Sequence, residues 1–133
     1  MPPERFSPDD PREWLNRARS NLARAQTKIS GVYLEDLCFD AQQTAEKAIK
    51  ALLIKRGATF PYIHDLAHLV TLLETAGQEI PDFVRRAEAL SRYAVVTRYP
   101  GVAEPVTEVH YQEAVAIAKA VLEWVEDGLR SEP

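Results

Sequence analysis

The stretch that decides the fold is LEDLCFDAQQTAEKAIKALLIKR, residues 34–56. Leu34, Leu37, Cys38, Ala41, Ala45, Ala48, Ile49 and Leu52 recur at three- and four-residue intervals, so a helix gathers them into one apolar stripe. No proline or glycine interrupts the run. Lys55 and Arg56 complement the negative end of the helix dipole, and Gly57 supplies the stop. The small side chains of Ala41, Ala45 and Ala48 allow a neighbouring helix to approach closely. Glu46 and Lys50 form a favourable i,i+4 pair, and the periodicity places Lys47 and Lys50 on the exposed arc of this helix.

The same periodicity flanks this helix on both sides. Asp10 reads as an N-cap, Pro11 as a first helical residue and Glu13 as the acidic partner of the cap. That helix carries Trp14, Leu15, Ala18, Leu22, Ala25 and Ile29 on one face and stops at Ser30-Gly31; residues 1–9 read as a flexible arm. Asp65 opens a shorter helix with Leu66, Leu69, Val70 and Leu73 inward, ending at Gly77. Pro81 opens a fourth, with Phe83, Ala87, Leu90 and Ala94 on one face, and Pro100-Gly101 forces a turn. Thr107 caps a last helix whose stripe is Val109 or His110, Ala114, Ile117, Ala118, Val121, Leu122 and Val125, ending at Gly128. Residues 129–133 form a tail. No segment reads as a strand, so the expectation is an all-α, up-and-down bundle of about five helices in one domain, residues 10–128.

Composition narrows the function. With 133 residues, 46% of them hydrophobic, the chain can bury a core without covalent staples. The lone Cys38 excludes an internal disulfide framework and a multi-cysteine zinc site. No apolar run approaches the roughly 18–20 residues of a membrane span, and the polar start Met-Pro-Pro-Glu-Arg has no signal-peptide core after it. A small cytoplasmic domain is expected. Residues 1–60 carry ten Lys/Arg against eight Asp/Glu, and residues 61–133 carry six against twelve. Attraction to nucleic acid can therefore be local only.

Three sets of residues bear on chemistry. His64 and His68 stand four apart, the spacing of a helical zinc pair, but an obvious third ligand is lacking and Asp65 is better used as a cap; no metal is expected. Cys38 lies on an apolar stripe, where a thiol is an inert small hydrophobe. The segment Arg92 to Tyr99 places two Arg and two Tyr just before a proline-enforced turn. Arg grips phosphate through parallel donors, and Tyr stacks or donates its hydroxyl.

Gln42-Gln43-Thr44-Ala45-Glu46-Lys47-Ala48-Ile49-Lys50-Ala51-Leu52-Leu53, His64-Asp65-Leu66 and Thr97-Arg98-Tyr99-Pro100 resemble, in order and separation, three landmarks of the HEPN-domain family. The likeness spans about residues 10 to 128. It implies a small helical bundle, usually dimeric, with either nucleotide binding or metal-independent RNA cleavage. Ribonucleases of that family carry an Arg, then four to six residues, then a His acting as acid/base. Here no His follows Arg92 or Arg98 until His110.

The expectation is thus a nucleotide- or RNA-associated component of a two-gene, toxin–antitoxin-like module, paired with a minimal nucleotidyltransferase and forming a homodimer. Arg92, Arg98 and Tyr99 are its candidate binding residues, with Lys47 and Lys50 adding general attraction; no catalytic residue is assigned and no cofactor is expected. One alternative is a ribonuclease using Arg92, Arg98 and Tyr99 with His110. The other is a helical adaptor without a ligand.

Overall fold

The computed structural model describes residues 1–60, 62–95 and 105–131. Its elements are α1 (Pro11–Ala25), α2 (Leu34–Lys55), α3 (Leu66–Thr75), α4 (Asp82–Arg85), a 3-10 segment (Arg86–Ser91), α5 (Arg92–Val95) and α6 (Glu108–Ser131). No strand occurs among the described residues. The expected all-helical bundle is found, but the fourth helix expected after Pro81 is broken into α4, the 3-10 segment and α5.

α2 is the axle. It packs along α1 and α6 on two sides, and against α3, α5 and the 3-10 segment elsewhere. The expected stripe is buried from Leu37 to Leu52, and the alanines at 41, 45 and 48 have no exposed surface. Burial also reaches the polar side of the helix, to Asp40, Gln42, Gln43, Thr44, Glu46 and Lys50. This corrects the expected exposed arc: Lys50 is only 3% accessible and Lys47 is half-buried. A helix walled by several others has little solvent face, which the polar spacing of its own sequence does not reveal.

Local signals explain most element ends. The Asp10 carboxylate accepts from the Arg12 N–H (2.9 Å) and that of Asp65 from the Ala67 N–H (3.0 Å), so both caps are formed. The Thr107 hydroxyl accepts from the His110 N–H at 3.2 Å. Gly57 and Gly77 follow helix ends with φ of +73° and +95°, the left-handed region where glycine is favoured. α1 ends at Ala25, a turn before the expected stop, and Ile29 is 60% exposed rather than inward. The Tyr111 hydroxyl donates to the Ala25 carbonyl at 2.6 Å, satisfying that early terminus from α6. Phe83 is 39% exposed and Val84 takes the buried place in α4.

The first residues are tied down. The Phe6 N–H donates to Glu13 (2.9 Å), the Trp14 indole to the Pro8 carbonyl (2.6 Å) and Asn16 to the Glu4 carbonyl (2.9 Å). Glu13, expected to serve the helix cap, anchors this arm instead and also accepts from Arg17 at 2.7 Å.

Candidate functional site

Arg92 begins α5 and is exposed, its guanidinium 5.2 Å from the Tyr93 ring centroid. Among the described residues it has no ion pair. It lines a cleft of about 110 Å³ together with Tyr93, His110 and Glu113. The structure thus brings Arg92 and His110, 18 residues apart in sequence, to one place on the surface. His110 Nδ1 lies 3.5 Å from the Thr107 backbone nitrogen, at the outer limit of a hydrogen bond. Burial pushes the Tyr93 phenol above its ordinary value, which removes it as a general base. Arg98 and Tyr99 lie outside the described residues.

A second polar cluster sits in the other half of α2. Glu46 is 2% accessible and gathers donors on both oxygens. Oε1 accepts from Gln42 (3.0 Å) and meets His64 Nδ1 (2.9 Å); Oε2 accepts from Lys50 (2.9 Å). Burial alone would raise this carboxyl, but the Gln42 and Lys50 hydrogen bonds, the Lys50 charge and His64 bring it below its ordinary value. The Lys50 ammonium lies 5.5–5.8 Å from the ring centroids of Phe60, Trp14 and Tyr62, so aromatic faces replace its water.

His64 precedes the Asp65 cap and lies outside α3, so it does not share a helix face with His68 as their spacing suggested. Among the described residues no group of three potential ligands could hold a metal. Beside this cluster, Asp40 accepts from Asn21 (2.9 Å) and Arg24 (2.5 Å), while Lys47 donates to Asn21 Oδ1 (2.8 Å). Burial holds the Lys47 ammonium below its ordinary value.

The arm, α1, α2 and the segment before α3 enclose a cavity of about 430 Å³, lined by Arg5, Arg17, Lys47, Lys50, Tyr62 and His64 among others. Arg5, Arg17 and Tyr62 reach it from separate segments of the chain, and no sequence spacing connects them. Only the Glu46/Lys50 interval and the His64-Asp65-Leu66 landmark signalled a cluster here. Cys38, buried on α2, has its thiol pushed up to about 11 by burial and the nearby Glu35 charge.

The chain is similar to known proteins in sequence and fold. The chain is 24% identical over 131 residues to the Methanocaldococcus jannaschii protein named Putative toxin MJ1304, covering 88% of this chain and 86% of that one. The crystal structure of TT1696 from Thermus thermophilus superposes with a TM-score of 0.75 at 35% identity, over 88% of this chain and 96% of its own. ST0689, described as an archaeal HEPN homologue, gives a TM-score of 0.72 at 31% identity, over 90% and 97%. The family model for the HEPN domain matches residues 11–128, from the start of α1 into the last turns of α6, and the chain belongs to the HEPN-domain family.

Proposed function

We propose that this protein is a toxin-like HEPN component of a two-gene module, engaging a nucleotide or RNA phosphate at the Arg92 end of the bundle, with a minimal nucleotidyltransferase as its partner. The observation that carries the binding reading is an exposed Arg92 guanidinium without an ion pair among the described residues, beside the His110 imidazole on one cleft. A planar guanidinium gives paired, charge-assisted bonds to phosphate oxygens, and an imidazole N–H adds a third donor. Arg98 and Tyr99 follow Arg92 by six and seven residues in sequence and remain candidate binding residues in this reading. The toxin-like role is supported by the name of the Methanocaldococcus jannaschii relative.

Homodimer assembly belongs to the same reading. Ile29, Val32, Tyr33 and Val109 are exposed around the α1–α2 turn and the start of α6, an apolar face suited to a second copy. Co-purification from the native host, read by mass spectrometry, tests the partner: a nucleotidyltransferase in stoichiometric yield is expected, and its absence contradicts the module.

A second reading, metal-independent RNA cleavage, is favoured by the same Arg92/His110 pairing. There His110 would take the proton of a ribose 2′-hydroxyl as that oxygen attacks the phosphorus. The departing 5′-oxygen would be protonated by solvent, while Arg92 held the phosphate. Rapid turnover of RNA by nuclease-free protein, lost in both Arg92→Ala and His110→Ala, would establish cleavage; binding without turnover establishes the first reading.

A further inference from the structure

The N-terminal arm is held on α1 in the manner of a bound peptide. It has no helix or strand of its own from Met1 to Ser7, and α1 grips three of its backbone groups. Asn16 donates to the Glu4 carbonyl (2.9 Å), Glu13 accepts from the Phe6 N–H (2.9 Å) and the Trp14 indole donates to the Pro8 carbonyl (2.6 Å). The contacts fall on alternate residues, the spacing at which an extended chain turns its backbone groups to one side. They depend on main-chain atoms, so they do not demand the sequence of this arm.

The arm fits its seat poorly. Phe6 is half-buried, with the Arg12 guanidinium 4.0 Å from its ring centroid, and the other residues of the first nine are exposed. Beneath it the cavity of about 430 Å³ stays open between Phe6, Pro8, Trp14 and Tyr62. Each of the Trp14 and Tyr62 rings also faces the Lys50 ammonium, at 5.7 and 5.8 Å, so the aromatic wall is formed without a ligand. Gln43 and His64 line the same hollow. A larger side chain with an apolar body and a polar tip would gain burial there that Phe6 does not.

We propose that this groove is a docking site for an extended segment of a partner protein that carries a tryptophan or tyrosine, and that the arm is its displaceable internal substitute. The incoming segment takes over the Asn16, Glu13 and Trp14 contacts and seats its aromatic side chain in the hollow. Release of the arm leaves the bundle standing, because α1 packs on α2 and α6 and keeps its Asp10 cap. The groove makes no use of Arg92, so this inference and the proposed function stand or fall separately.

The test uses the full chain, isotope-labelled for NMR, and unlabelled synthetic peptides of residues 1–10. The peptide bearing Phe6→Trp is expected to bind saturably and at least ten-fold tighter than the arm's own sequence; the Phe6→Ala peptide should not bind below millimolar concentration. The tethered arm competes at a millimolar effective concentration, so Phe6→Ala in the chain should tighten binding of the Phe6→Trp peptide by about ten-fold. Added to that chain, Glu13→Ala or Asn16→Ala should each weaken it by about three- to ten-fold, one hydrogen bond lost. Asn16→Ala carries the test if Glu13→Ala unsettles α1. In the wild-type chain at saturation, the Phe6 amide should exchange at least ten-fold faster, since the peptide has taken Glu13 from it. No saturable binding of the Phe6→Trp peptide to the Phe6→Ala chain at millimolar concentration, or saturation with the wild-type Phe6 amide still protected, overturns the proposal. So does a dimer in light scattering that Phe6→Ala dissolves, because the arms would then be exchanged between copies of this chain.

Discussion

A single carboxylate, Glu46, organises the polar interior, accepting from Gln42 and Lys50 while meeting His64. Removing one partner of a buried pair strands the other charge, which costs about 3–5 kcal/mol. Glu46→Ala should therefore lower urea stability by that amount, whereas Glu46→Gln paired with Lys50→Met should recover much of it. The sign of the pH dependence follows. A carboxyl held below its ordinary value contributes stability that is present above its unfolded value, 4.5, and lost as pH falls through the lower folded value. Stability of the wild type should fall below about pH 4.5 more steeply than that of Glu46→Gln, measured by urea midpoints across pH. Cys38, with its thiol pushed up to about 11, should resist a disulfide reagent at pH 8 until the chain unfolds.

α2 sets the tolerance of the whole bundle, because its small residues are packed without accessible surface. Ala45→Leu would force extra volume against its neighbours and should cost about 1–3 kcal/mol. Tyr111→Phe removes one buried hydrogen bond that joins α6 to the end of α1 and leaves the Ala25 carbonyl without it, a loss of about 1–3 kcal/mol. Thermal or urea unfolding of each variant checks these values. At this scale the sequence was largely readable: apolar spacing located α2 and α6, and Asp10, Asp65 and Thr107 marked real caps. What it hid was reach across the chain. Ile29 fits the α1 stripe arithmetically, yet Tyr111 closes the helix a turn earlier. Lys50 has the spacing of a solvated pair, yet Phe60, Trp14 and Tyr62 enclose it. Arg5 carries no local signal at all, since its place in the cavity depends on where the arm is laid down. The landmark containing Glu46 marked the right helix, but a family resemblance does not say which of its polar residues turn inward.

For the molecule as a whole, the proposed function rests on local charge. Net charge is −4, so phosphate must be captured by local arrangements rather than a general field. The proposed homodimer should appear in light scattering at micromolar concentration, and Ile29→Glu with Val109→Glu should shift it to monomer while leaving the helical spectrum unchanged. The central claim is that the Arg92 end engages phosphate. Its most direct test is the affinity of a labelled RNA, at fixed salt, for wild type and Arg92→Ala with matched thermal midpoints. The account predicts a loss of about ten- to a hundred-fold in the variant, one charge-assisted contact removed. Equal affinity of the two folded proteins would contradict it.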